Sequence, residues 1–205
     1  MATKYKLNYF NTRGQGEAIR FLLSYGEVPF EDNRVSIHEW HQLKRATPFG
    51  KLPTLEVNNE VGYQTLAVCR YLGRQFKIAG NDAWEEAQID AVADTIKDLN
   101  TETLDVYLAP DCESKEKLRE KLVNETFPFY FSKLDKMVLD NGGFFVGGQL
   151  SWVDIFFTSG VEGYNVVGMD EDLLKNYPNL SDLNKNIRSL PAIQSWLKKR
   201  PFSAF

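Results

Sequence analysis

"KYKLNYFNTRGQGEAIRFLLSYGEVPFEDNRV", residues 4–35, changes its periodicity twice, and those changes decide the fold. Tyr5, Leu7 and Tyr9 alternate with Lys6 and Asn8, the period-two pattern of a strand over about Lys4–Phe10. "NTRGQG" then turns the chain. Ala18, Phe21, Leu22 and Tyr25 recur at helical spacing, placing a helix over about Gly16–Tyr25 that Gly26 ends. A second strand follows over about Phe30–Val35. A strand, a helix and a strand in this order imply a parallel pair. Tyr9 falls at the end of the first strand, as either its last core residue or a hydroxyl placed for chemistry.

Working outward, a short helix is predicted around His38–Arg45, then a strand at Thr54–Val57, a turn at Asn58–Glu60 and a strand at Val61–Tyr63. Gln64 and Thr65 open a further helix, "LAVCRYLGRQF". The order β-α-β-α-β-β-α with a terminal hairpin gives an α/β domain with a mixed sheet over residues 1–79. "KIAGNDAWEE" links it to an all-α domain over residues 83–205. There Asp82 caps a long helix whose Ile89, Val92, Ile96 and Leu99 follow the helical period. A second long helix runs from about Ser114 to Asp140 and is kinked by Pro128. In "LSWVD", Ser151 and Asp154 form an S-x-x-D capping pair and Leu150 and Ile155 a hydrophobic staple, which reads as a helix start. "LPAIQSWLKKRP" is the last amphipathic helix.

The chain has 205 residues, room for one large or two small domains, with 43% hydrophobic and 25% charged residues. A net charge of −4 without clustered Lys and Arg argues against nucleic acid or an anionic membrane as partner. No long uncharged apolar run is present to span a membrane, and "MATKYKLNYF" holds no signal core. Cys69 and Cys112 lie far apart in unlike contexts and are expected to be packing residues in a reduced, cytoplasmic setting.

Several positions carry two readings. Pro53 enters a strand as an ordinary structural proline, or as a cis bond that frees the Leu52 backbone for an extended ligand. Thr65 is an N-cap, or with Gln64 a carboxylate site at a helix start. Trp40 and Lys44 share a helix face, and with Lys51 they are either a half-buried indole and solvated lysines or a grip on a second carboxylate. His38 and His41 lack a second ligand cluster, so neither a metal site nor a histidine base is expected.

"YFNTRGQGEAIRFLL", "FGKLPTLEV", "QTLAVCRYLG", the helical second half and "LSWVD" together resemble cytosolic glutathione transferases. Within that family the sequence is most similar to the sigma class, which includes insect enzymes and glutathione-dependent prostaglandin D synthases. The resemblance covers essentially the whole chain. It implies a thioredoxin-like first domain, an all-α second domain and a homodimer. It implies that glutathione is a cosubstrate, with no permanently bound cofactor, and that the partner molecule is a hydrophobic electrophile such as a lipid-peroxidation aldehyde. By resemblance, Tyr9 is the catalytic tyrosine, and Trp40, Lys44 and Lys51 hold the glycyl end of glutathione. Leu52, ahead of cis Pro53, pairs with the cysteinyl unit; Gln64 and Thr65 bind the γ-glutamyl end, and Asp98 reaches that end from the partner subunit. Phe10, Gln15 and Asp105 are expected at the electrophile pocket.

The sequence also departs from the class. Thr65 replaces a serine, Gln15 stands where the mammalian prostaglandin synthase has Arg, and Asp105 where it has a pocket Trp. Asp94, Lys97 and Asp98 occupy the positions of that enzyme's acidic metal-binding trio. The lysine removes one oxygen ligand, so no metal is expected. A glutathione-dependent lipid isomerase or peroxidase, and a noncatalytic protein like the family's lens crystallins, are the alternative readings.

Overall fold

The computed structural model describes residues 3–203. The chain divides into two compact units, residues up to Lys77 together with those from Ser189 onward, and Ile78–Arg188. By contacts, therefore, the last helix groups with the first unit, although in chain order it follows the helical segment.

The first unit contains strands β1 (Tyr5–Phe10), β2 (Phe30–Val35), β3 (Thr54–Val57) and β4 (Glu60–Tyr63), and helices α1 (Gly14–Tyr25), α2 (Ile37–Leu43) and α3 (Thr65–Gln75). The sheet order is β2-β1-β3-β4. β1 and β2 are parallel, with Tyr9 opposite Arg34. β1–β3 and β3–β4 are antiparallel, and the last β1–β3 pair is Asn8 with Thr54. Tyr9 and Phe10 thus run past the end of β3. This is the mixed sheet expected from the two patterns, helical crossover and hairpin. Asn58 and Asn59 both take positive φ, 51° and 78°, the requirement of a two-residue type I′ turn. Leu7, Ile19, Phe21, Leu22, Leu55, Cys69 and Leu72 are fully or almost fully buried and form the core.

Three local details differ from the sequence expectation. α1 starts at Gly14, two residues early, because the Gln15 N–H finds an acceptor in the Tyr9 hydroxyl. Gly26 is the C-cap, as expected, but keeps an ordinary φ of −71°, and the left-handed residue is the next one, Glu27, at 51°. Glycine is needed at position 26 for space, since a Cβ there would lie 2.4 Å from the Phe76 ring. Cys112 is exposed as the first residue of a helix, so only Cys69 is a packing residue.

The second unit is helical: α4 (Ala83–Leu108), α5 (Cys112–Lys121), α6 (Phe127–Asp140), α7 (Trp152–Gly168) and α8 (Pro178–Ser189). α9 (Pro191–Lys199) belongs to the first unit. Asp82 caps α4, accepting from the Trp84 and Glu85 N–H groups at 2.8 and 2.9 Å. The long helix expected to Asp140 is divided by a π turn, Leu122–Thr126, just before Pro128. A proline cannot donate to the carbonyl one turn back and collides with it, and the wider turn removes that conflict. Phe127, Phe131, Phe145, Phe157 and Tyr164 form a buried aromatic core. The Tyr164 hydroxyl donates to Asn100 Oδ1 at 2.6 Å. Among the described residues, no helix is long and apolar enough to cross a membrane.

Candidate active site

Tyr9 sits where β1 ends and "NTRGQG" turns into α1. Its hydroxyl accepts the Gln15 N–H at 3.1 Å. The two glycines of the turn make this seat possible. A Cβ at Gly16 would stand 2.4 Å from Tyr9 Cδ1, and one at Gly14, whose φ is +35°, would stand 2.7 Å from the hydroxyl. Burial pushes the Tyr9 phenol above its ordinary pKa, while the Gln15 N–H, the Arg20 guanidinium and Thr12 oppose that rise. The net direction is upward, so at neutral pH Tyr9 carries its proton and is a donor.

Beneath this seat lies a network that sequence patterning did not single out. Arg20 is fully buried. It donates to Thr12 O at 2.8 Å and Phe10 O at 3.4 Å, holding the turn just after Tyr9. Its Nε donates to Asp32 Oδ1 at 2.9 Å, and Nη1, which also serves Thr12 O, reaches Glu17 Oε2 at 3.1 Å. Its Cζ lies 5.8 Å from the Tyr9 ring centroid. Glu17 Oε1 accepts from Trp196 Nε1 at 2.9 Å and Arg200 Nη1 at 2.8 Å, which ties α1 to the end of the chain. The available signal was Glu17 and Arg20, an i, i+3 acid–base pair among the apolar residues Ala18, Ile19, Phe21, Leu22 and Leu23. Complementary partners let such charges be buried together.

Phe10 links two candidate groups. Its ring is 5.6 Å from that of Tyr9 and meets Trp40 edge-on at 5.5 Å. α2 is fixed by a Ser36–Glu39 capping box, and the Lys44 N–H donates to Trp40 O at 2.8 Å. Lys44 is an exposed cap residue whose stem runs beside Gly50, one position before exposed Lys51. Trp40, Lys44 and Lys51 are therefore held by one local element, the α2 helix and the turn Pro48–Gly50 that follows it. The Leu52–Pro53 bond is cis, and Leu52 lies outside the β3 ladder.

At the start of α3 the residue in the capping position is Gln64, with φ 69°, and Thr65 is the first helical residue. Thr65 is thus not the N-cap, because the left-handed turn at Gln64 brings the helix start forward by one residue. Its hydroxyl donates to Gln15 Oε1 at 3.0 Å, and no side chain caps the helix. The positive end of α3 and its first N–H groups suit an anion. Tyr9, Gln15, Thr65, Phe10, Trp40, Lys44, Lys51 and Leu52 all belong to the first unit. Asp94, Lys97, Asp98 and Asp105 are exposed on α4 in the second, with Asp98 and Asp105 two turns apart on one face. Among the described residues, no three His, Cys, Asp or Glu side chains are grouped to hold a metal ion.

Comparison with known proteins shows the family of the chain. Residues 5–74 match the family model "Glutathione S-transferase, N-terminal domain" and residues 97–200 match "Glutathione S-transferase, C-terminal domain". A glutathione S-transferase of Anopheles gambiae is 39% identical over 97% of this chain and 98% of its own. The hematopoietic prostaglandin D synthase of Homo sapiens is 33% identical over 96% of each. The solved structure of a Nilaparvata lugens prostaglandin synthase D superposes with a TM-score of 0.93 at 41% identity, over 98% of this chain and all (100%) of that one.

Proposed function

The chain belongs to the glutathione S-transferase family and is a glutathione transferase, and from that premise we propose that Tyr9 activates the glutathione thiol for attack on hydrophobic electrophiles. The observation that carries this is the Tyr9 hydroxyl at the start of α1, which accepts the Gln15 N–H and so keeps its own proton to give. A free thiol has a pKa of about 8.5, and a few per cent of it is thiolate at neutral pH. Lowering that value by two units takes about 2.7 kcal/mol. One charge-assisted hydrogen bond from the phenol, worth about 1.5–3 kcal/mol, is of the right size. The thiolate then bonds to the electrophilic centre and displaces a leaving group or adds to it.

In this reading the glycyl carboxylate meets Trp40, Lys44 and Lys51, the Leu52 backbone pairs with the cysteinyl unit beside Pro53, and the γ-glutamyl carboxylate meets Gln64, Thr65 and the start of α3. Phe10 and Gln15 flank the thiol, and Asp105 joins the electrophile pocket on the strength of the family resemblance. Asp98 reaches the γ-glutamyl end from the partner of a homodimer. Phe49, 79% exposed and 5.5 Å from the Tyr63 ring beside exposed Val61, supports an interface between copies on the β4 edge.

Tyr9→Phe provides the test. The bound thiol's pKa should rise by about two units and turnover at neutral pH should fall about tenfold to a hundredfold, while glutathione affinity changes little. Unchanged turnover at neutral pH would sink the assigned role. The prostaglandin D synthase relatives favour a second reading, a glutathione-dependent isomerase of lipid peroxides. Assays with prostaglandin H₂ and a generic aryl halide separate the two.

A further inference from the structure

Gln15 touches two parts of the proposed glutathione site, the thiol seat and the γ-glutamyl subsite, with two different groups. Its backbone N–H donates to the Tyr9 hydroxyl at 3.1 Å, and its side-chain Oε1 accepts the Thr65 hydroxyl at 3.0 Å. Gln15 is exposed, so its amide fills no core space that would account for this placement. Thr65 is buried, and its hydroxyl has one proton to give. That proton cannot be donated to Gln15 and to an incoming carboxylate at once.

We propose that Gln15 is a latch on the γ-glutamyl subsite, whose side chain holds the Thr65 proton until an anionic ligand takes it. This rests on the reading of Thr65 as a γ-glutamyl contact. Arrival of a carboxylate at the start of α3 turns the Thr65 O–H from the neutral amide oxygen to a charged acceptor, which is the stronger bond. The Gln15 amide is released, and its backbone bond to Tyr9 stays in place. The latch therefore acts on binding and leaves thiol activation alone. Binding is weakened in inverse proportion to the fraction of molecules that stand unlatched, as for any site that is only partly competent when empty. A ligand carrying a neutral amide in place of the carboxylate gains no charge-assisted bond and does not open the latch, so Gln15 sharpens selection for the anionic γ-glutamyl end.

The test uses the full chain and titrates glutathione into wild type, Gln15→Met, Thr65→Ser, Thr65→Val and the double variant Gln15→Met/Thr65→Val. Gln15→Met keeps the length and the backbone N–H but removes the acceptor. It should tighten glutathione binding by about two- to tenfold, the size of one neutral hydrogen bond. The thiol pKa, read from ultraviolet thiolate absorbance with glutathione saturating, should not follow the change in affinity, because the backbone N–H on Tyr9 is kept. Thr65→Ser keeps the hydroxyl and should bind glutathione far more tightly than Thr65→Val does. Thr65→Val should weaken binding, and Gln15→Met added to it should change nothing further. Unchanged or weaker binding by Gln15→Met, or tightening that persists without the Thr65 hydroxyl, overturns the latch. Wild-type affinity in Thr65→Val overturns the γ-glutamyl assignment itself, which is a separate failure.

Discussion

At the start of α7 the Asp154 carboxylate accepts the Ser151 N–H and hydroxyl at 2.7 Å each and the Phe145 N–H at 2.9 Å. At the start of α1 the side chain of the capping residue, Arg13, does not cap the helix, and the Gln15 N–H is taken by a phenol from the preceding strand. Both arrangements satisfy N–H groups that a helix leaves without partners. The first uses neighbours in sequence and stabilises the fold. The second turns the positive end of a helix onto the oxygen of Tyr9, where it acts on a titrating group. A cap made from within its own segment is structural, and one borrowed across a turn brings a reactive group to a defined place.

If that contrast holds, damage to the α7 start should appear in stability and damage to the α1 start in turnover. The largest effect is expected for Asp154→Ala, which strands two buried N–H donors and should lower unfolding stability by about 2–4 kcal/mol. The surviving folded protein, assayed at low temperature, should turn over normally; a turnover loss exceeding the folded fraction would erase the contrast. Gly16→Ala comes next. The Tyr9 ring must move to admit the methyl, with a strain of about 1–3 kcal/mol. Its turnover loss, about tenfold to a hundredfold, should exceed its fall in melting temperature, and a purely thermal effect would show that Tyr9 does not depend on its seat.

A smaller effect concerns pH. Burial pushes the Asp154 carboxyl up to about 6 from its ordinary 3.8, against the pull of its hydrogen bonds. The folded state then binds more protons than the unfolded one between those values, so this residue's contribution to stability grows as pH falls through 6 and is complete below 3.8. The cost of Asp154→Ala should thus be about 1 kcal/mol larger at pH 5 than at pH 7. Denaturant midpoints at the two pH values check it, and an equal cost at both would place the carboxyl's pKa near normal. The smallest effect is expected for Asp82→Ala. It removes an exposed local cap from α4 and should cost about 1 kcal/mol in denaturant melts, with no change in the thiol pKa.

The helix starts at Asp82 and "LSWVD" were legible because a cap's donor and acceptor lie within a few residues of each other. The Ser36–Glu39 box had the same signature and shows how short such a signal is. Gln15 facing Thr65 was not legible, since those residues are fifty positions apart and meet only through the order of the sheet. Nor was the site of Thr65 within its helix: nothing in "YQTL" specifies that Gln64 adopts positive φ and takes the capping position. Candidate ligand residues such as Trp40 and Lys44 could be placed on one face, but their shared setting with Phe10 and Gly50 came from packing.

By itself the sequence determined the two patterns, period two and period three-point-six, whose order dictates a parallel strand pair, a hairpin and a run of helices. It also placed Tyr9 on the same face as Tyr5 and Leu7 near the end of β1, because side chains alternate along a strand whatever surrounds it. Tertiary structure decided what Tyr9 touches. Buried Arg20 fixes the carbonyls behind it, Gly14 and Gly16 make room for its ring, and Gln15 connects its hydroxyl to Thr65. Periodicity follows from backbone geometry within one segment. A hydrogen bond needs two groups within about 3 Å, and for residues far apart in sequence only the folded chain sets that distance.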